Sequence, residues 1–316
     1  MAAKGICLAL LLVLPVVGQT GASISERISK APLTPEERQA VVRLFSQKQF
    51  DRLETLLGSA ASVAGPPERT AALRALLGAL EFLGGRMQQA VEAFEGADAL
   101  TVLDDRDRFT LAMALVELGD IAHSRVELTR LNETHPDQPL YLYWLARLDY
   151  GQRRYDSAID KLNKVVQMDP GSVRGYDNLG LSYDMMGLAG EAQNAFSKAV
   201  LLNRALPSPS PWPPHNLGYL QLRLQHFREA EKSLREALKY DPRFATAHYY
   251  LARALEGQGQ DNAAIEEYKS AAALDASLAA PLYSLGLLYR RMGSGAEADK
   301  AFAEFRRRKA LSPDSQ

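Results

Sequence analysis

A period of 34 residues governs this sequence. From Thr34 to Ser312, small residues return at two fixed positions of a 34-residue frame. Counting each frame from its first residue, position 8 holds Gly78, Ala112, Ala146, Gly180, Gly218, Ala252 and Gly286. Position 20 holds Ala90, Ser124, Ala158, Ala192, Ala230, Ala264 and Ala298. Apolar residues at positions 4, 7, 8 and 11 draw one stripe of a first helix, and those at 20, 24 and 27 one stripe of a second. Small residues at 8 and 20 let the two helices approach, and a large one at 24, such as Phe196, fills the gap. Glycine at position 15 in five frames (Gly85, Gly119, Gly187, Gly259, Gly293) marks the turn between them. There a left-handed backbone is cheap only without a β-carbon. Pro136, Pro170 and Pro242 close frames at position 32, because proline cannot continue a helix. One such hairpin cannot bury its own apolar face. A chain of them must stack, which predicts an all-α solenoid and a binding surface more than an active site.

The frames start at 71, 105, 139 and 173, and resume at 211, 245 and 279 after four inserted residues. These seven repeats fill 71–312. Residues 34–70 form a degenerate first repeat, with Val41 and Leu53 at the small positions and a Gly65-Pro66-Pro67 linker before 71. Its start carries a capping box: Thr34 as N-cap, Pro35 at the first helical position, Glu37 at the third. Residues 19–33 are polar and Ser-rich and are expected to be a disordered lead-in, and 313–316 a tail. The insert at 205–214 is rich in proline. Pro211, Pro213 and Pro214 predict that the next helix is short and begins near His215. The insert is either a stiff loop that carries Trp212 to a binding groove or a tolerated insertion with Trp212 packed on a neighbouring repeat.

Residues 1–18 read as a secretory signal peptide. Lys4 supplies the positive end, residues 6–17 are apolar, Pro15 breaks a helix, and Val16-Val17-Gly18 offers a cleavage site before Gln19. Twelve apolar residues fall short of the roughly 20 that span a bilayer, although retention as an anchor is the alternative. The predicted location is exported, periplasmic or secreted. Cys7 is the single cysteine, so the mature chain would have none. A formal net charge of -1 disfavours nucleic acid as a partner. Arg306-Arg307-Arg308-Lys309 reads as the solvated end of the last helix, where cations meet its partial negative charge. The catalytic motifs of hydrolases, metalloproteases and nucleotide-binding proteins are absent from the sequence, and the five histidines have no ligand spacing. No enzyme activity, cofactor or metal is therefore expected. Residues 19–70 are too short to hide a catalytic domain. Asn132-Glu133-Thr134 has the form of a glycosylation acceptor.

The stretch from Tyr176 to Tyr183 with Gly187, Ala192, Phe196 and Ala199, and the stretch from Leu282 to Tyr289 with Gly293, Ala298 and Phe302, resemble the tetratricopeptide repeat family. The resemblance extends over nearly the whole chain after residue 33. Asp149, at position 11 where an aromatic is usual, departs from it. The resemblance implies a right-handed α-solenoid whose first helices line a concave groove through positions 2, 5, 6, 9 and 12. Those positions give Tyr143, Trp144, Arg147 and Tyr150, then Arg174, Asp177, Asn178 and Asp184. The repeat after the insert gives Trp212, His215, Asn216 and Tyr219. The last two give Tyr249, Tyr250 and Arg253, then Tyr283 and Arg290. Rings offer rigid apolar contact, while arginine and asparagine bond an extended backbone or a carboxylate. Some family members grip a C-terminal carboxylate with asparagines flanked by cations. Asn178 and Asn216 fit the middle of that clamp, but Tyr143 and Tyr250 stand where cations are needed. The expected function is an exported scaffold that binds a protein or peptide partner in its groove. The alternative is a structural solenoid that self-associates end to end through Phe302 and Phe305.

Overall fold

A computed structural model describes residues 21–63 and 65–311. The signal peptide expected at 1–18 and the tail at 313–316 lie outside the described residues. The described secondary structure is all helix, and the chain divides into two compact units, up to Gln152 and from Arg153 onward.

The first unit holds α1 (Gly21–Lys30), α2 (Pro35–Ser46), α3 (Phe50–Ser62), α4 (Pro67–Leu83), α5 (Met87–Asp98), α6 (Asp105–Glu117), α7 (Ile121–Thr134) and α8 (Pro139–Gly151). The capping box forms as expected: Thr34 accepts from the Glu37 amide, and Glu37 accepts from the Thr34 amide at 2.8 Å. Val41 and Leu53 are fully buried at the small positions of the first hairpin, so α2 and α3 meet through larger side chains. The lead-in differs from expectation, since residues 21–30 are helical. Ile24 and Ile28 lie one turn apart and are buried, and Arg27 pairs with Asp107 and donates to the Ala75 carbonyl at 3.1 Å. Tertiary burial of a short apolar stripe stabilises a helix that is too short to persist alone.

The second unit holds α9 (Tyr155–Met168), α10 (Val173–Met185), α11 (Ala189–Arg204), α12 (Trp212–Arg223), α13 (Phe227–Tyr240), α14 (Ala245–Gly257), α15 (Asp261–Leu274), α16 (Ala280–Arg291) and α17 (Gly295–Leu311). Here α12 begins at Trp212, three residues earlier than the prolines suggested. The first amides of a helix have no intrahelical partner, so Pro213 and Pro214 remove nothing there. The insert is tied down by Asn203, which is fully buried. Its amide donates to the Ser210 carbonyl and accepts from the Ser210 amide, both at 2.8 Å.

Positions 15 and 8 of the frame have clear physical roles. Every glycine at position 15 has φ between 73° and 79°. The frames without glycine there adopt the same turn with Lys48, Arg153 and Gln225, at φ 56°, 60° and 61°. Position 8 packs against position 24 across the hairpin. A β-carbon on Gly180 would stand 2.6 Å from the Phe196 ring, and one on Gly286 2.7 Å from Phe302.

Candidate functional site

In the second unit the first helices α10, α12 and α14 lie side by side, and their predicted groove positions meet. The Asn216 amide donates to both Asp177 carboxylate oxygens at 3.1 Å, joining α12 to α10. Arg223 extends the joint, donating to Asp184 at 2.6 Å. Between α12 and α14 the contact is aromatic. The Tyr250 ring lies 4.7 Å from Tyr219 and 5.5 Å from His215, and Tyr249 lies 5.2 Å from Tyr250. Trp212 packs at 4.7 Å on Phe244, the N-cap residue of α14 and the last residue of the same frame. Positions 2, 5, 6 and 9 of three successive frames thus form one band.

The band divides by exposure. Asp177, His215 and Asn216 are buried and hold helices together. Trp212, Tyr219, Tyr249, Tyr250 and Asn178 are half-buried, and Arg174 and Arg253 are exposed. Neither Arg174 nor Arg253 has a salt-bridge partner among the described residues. The Asn178 amide donates to the Arg174 carbonyl at 3.0 Å.

Electrostatics keeps two of the band's rings neutral. Burial pushes His215 down to about 4, so its ring is uncharged at neutral pH. Because the Asn216 amide points at Asp177, its oxygen faces His215 Nδ1 at 3.1 Å, which assigns the proton to Nδ1. Burial likewise pushes Tyr250 up to about 12, which keeps its phenol protonated. The band therefore offers half-buried rings with phenol and indole groups, flanked by two cations without counter-ions. That combination suits an extended chain with an acidic group.

Other predicted residues fall elsewhere. Tyr283 and Arg290 on α16 turn to the last helix: Tyr283 lies 5.3 Å from Phe305, and Arg290 sits 4.8 Å over Phe302. No ring contact ties them to Tyr249 or Tyr250 among the described residues. In the first unit, Tyr143 and Trp144 on α8 are buried, with Trp144 packed 6.5 Å from Phe109. Arg147 covers them, 4.9 Å over Trp144 and 6.0 Å over Tyr143. Adjacent positions 5 and 6 both pack inward there, which frame counting alone did not distinguish.

With the frames and their packing in place, comparison with known proteins is direct. The sequence matches the tetratricopeptide repeat family over residues 109–173 and 215–279. The chain carries tetratricopeptide repeats. Solved structures with the same fold include PilW, described as a type IV pilus biogenesis factor, at 20% identity and TM-score 0.59, over 66% of this chain and 95% of that one. The C-terminal part of a tetratricopeptide-repeat protein from Cytophaga hutchinsonii aligns at 15% identity and TM-score 0.57, over 75% and 96%. MamA from Desulfovibrio magneticus RS-1 aligns at 17% and TM-score 0.50, over 55% and 97%. No curated protein sequence matches. Among the described residues, no helix of this tetratricopeptide-repeat protein is long and apolar enough to cross a membrane, and no cluster of acidic, histidine or cysteine side chains could hold a metal.

The sequence reading marked Asp149 but not the class of residue to which it belongs. Position 11 of the tetratricopeptide frame belongs to the core stripe, yet it is polar in three repeats: Glu81, Asp149 and Gln221, all buried. Two are well partnered: Asp149 pairs with Arg125 at 2.9 Å, and Gln221 accepts from Ser233 at 2.7 Å. Glu81 Oε2 forms an ion pair with Arg86 Nε at 2.7 Å, but neither carboxylate oxygen has a hydrogen-bond partner among the described residues. A charged residue at a core position of the frame was the available signal.

Proposed function

We propose that this protein is a non-enzymatic scaffold that captures an extended segment of a partner protein on the first-helix face of its second unit. The observation that carries the reading is the pairing of a half-buried aromatic band (Trp212, Tyr219, Tyr249, Tyr250) with Arg174 and Arg253, two exposed cations without counter-ions. Rigid stacked helices hold these groups in place before the partner arrives, which lowers the entropic cost of capture. The cations select segments bearing a carboxylate. Arg147 with the Trp144 ring is a separate accessory contact on the first unit.

The protein acts outside the cytoplasm, a reading that rests on the Lys4 and 6–17 pattern. Cell fractionation with N-terminal sequencing tests it: chains outside the cytoplasm that begin at Gln19 support it, and chains found only in the cytoplasm with an intact Met1 refute it. Capture is tested by selecting displayed peptides against the purified chain and placing a photo-crosslinker at position 253. Crosslinks to selected acidic peptides support the face; crosslinks from control surface sites alone refute it.

Self-association through the C-terminal end remains the second reading. Phe302 and Phe305 are half-buried under Arg290 and Tyr283, which reduces the apolar surface it calls on, while Leu287 stays 44% exposed. Light scattering decides it: a mass independent of concentration excludes the end-to-end contact.

A further inference from the structure

The first unit contains a pocket that the partner-binding band does not use. It lies where the second helices α3 and α5 pass over α4, and its volume is about 470 Å³. None of the predicted groove residues lines it. The walls are apolar and carboxylate together: Leu57, Leu73 and Leu77 face it, as do Glu54, Glu81 and Glu92. Small residues hold it open. Gly58 and Ala93 line it from α3 and α5, and a β-carbon on Gly58 would meet nothing within 4 Å.

Glu81 makes the pocket chemically specific. It is fully buried, yet its Oε1 has no hydrogen-bond partner among the described residues, a costly arrangement for a carboxylate. Among the described residues its ion-pair partner is Arg86, and that cation is shared. Its guanidinium also serves Asp51 and, at 2.9 Å, Glu54, so three carboxylates divide one positive charge. Glu92 receives only the Gln88 amide at 3.0 Å. Arg74, the one cation lining the pocket, donates instead to the Gly96 carbonyl at 2.8 Å. The buried polar groups at the same position in other repeats are satisfied, so the deficit belongs to this site and not to the fold.

We infer that this pocket binds a primary alkylammonium, with the ammonium on Glu81 Oε1 and the Glu92 carboxylate and the aliphatic stem against Leu57, Leu73 and Leu77. A lysine side chain of a partner protein and a free diamine share this chemistry. An ammonium brings three donors to a site short of donors, and a stem of four or five methylenes matches the leucine walls.

Protonation of Glu81 competes with the cation. Burial pushes Glu81 up to about 7, against the lowering effect of Arg86; Asp51 and Glu54 on α3 push the same way as burial. Glu92 on α5 and Arg74 on α4 also face the pocket. Ionised Glu81 is needed to hold the cation, so binding is roughly tenfold tighter at pH 8 than at pH 6.

The test is an NMR titration of the full chain with three probes: cadaverine, acetyl-Gly-Lys-Gly-amide, and the same peptide with norleucine for lysine. The expected result is saturable shifts in α3, α4 and α5 with either cation and none with norleucine. Tighter binding of the lysine peptide identifies a protein side chain as the source, and tighter binding of cadaverine identifies a free amine. Glu81→Gln keeps the shape of the side chain and should weaken binding at least tenfold. Gly58→Leu fills the pocket from a helix position with open space and should abolish binding without touching a charge. The inference is overturned if neither cation binds, if norleucine binds equally well, or if Gly58→Leu binds like the native chain. The proposed partner face lies in the other unit, so Arg253→Ala must leave this titration unchanged.

Discussion

Gly180→Ala isolates the contact that sets the spacing of each hairpin. In a helix interior the exchange alone should stabilise by about 0.5–1 kcal/mol, because glycine loses the most backbone freedom on folding. Here the new β-carbon would stand 2.6 Å from Phe196 Cδ1 and 2.7 Å from Cε1, closer than such atoms approach in proteins. Phe196 cannot yield easily: it is buried in a cluster with Ala192, Val200, Leu217 and Leu220. Overpacking of this kind costs about 1–3 kcal/mol. The clash therefore outweighs the helix preference, and we expect a net loss of ~1–2 kcal/mol by urea denaturation followed by far-ultraviolet circular dichroism. Two companions make the measurement specific. Gly190→Ala, in the same hairpin with nothing within 4 Å, should be neutral or stabilising. In a Phe196→Ala background, itself destabilised by about 3–5 kcal/mol, Gly180→Ala should cost nothing. A Gly180→Ala protein as stable as the native chain would refute the packing of position 8 on position 24.

Further expectations concern strain, charge and the hairpin interior. Gln225 holds a turn at φ 61° that favours glycine, so Gln225→Gly should stabilise by up to ~1 kcal/mol, and Gly187→Ala, at φ 75°, should destabilise by a similar amount; urea midpoints check both. Ala192→Trp should disrupt the second unit, since Ala192 is fully buried against the partner helix, and unchanged melting would contradict the register. The folded-state value of Glu81, about 7, lies above its usual 4.5, so its contribution to stability is fully present below pH 4.5 and is lost as pH rises through 7. Glu81→Gln should therefore raise the melting temperature more at pH 8 than at pH 5; an equal gain at both would contradict the burial of an ionised carboxylate. His215 has the opposite sign. Its folded value is depressed to about 4, so stability is lost as pH falls from 6.5 toward 4, and His215→Phe should flatten that part of the acid limb.

The period made much of the fold legible, because each frame repeats the same steric demands. Position 15 demands a left-handed turn in every frame, and the small residue at position 8 marks close packing in the seven hairpins after the first. The left-handed turns at Lys48, Arg153 and Gln225 fall at the same position of the frame but carry no glycine to announce them. What stayed hidden depended on contacts from outside the frame. Helix α1 is only ten residues long and gains its stability from Ile24, Ile28 and Arg27 docking on other helices. The start of α12 was misjudged because prolines are harmless in a first turn. At the groove positions, frame counting places residues on one side of each helix but does not give their exposure. Tyr143 and Trp144 are packed inward, and Asp177 and Asn216 satisfy each other. Whether a ring faces solvent depends on its neighbours one repeat away, which no single frame contains.

The central claim is that the band on α10, α12 and α14 captures a partner segment. The most direct measurement is the affinity of a selected acidic peptide for the native chain and for Arg253→Ala and Tyr219→Ala, read by fluorescence anisotropy alongside helical content. Both residues are at least partly exposed on the band, and each variant should bind at least tenfold more weakly, a loss of about 1.4 kcal/mol, with helicity unchanged. Affinities within twofold of the native value in both variants would contradict the account.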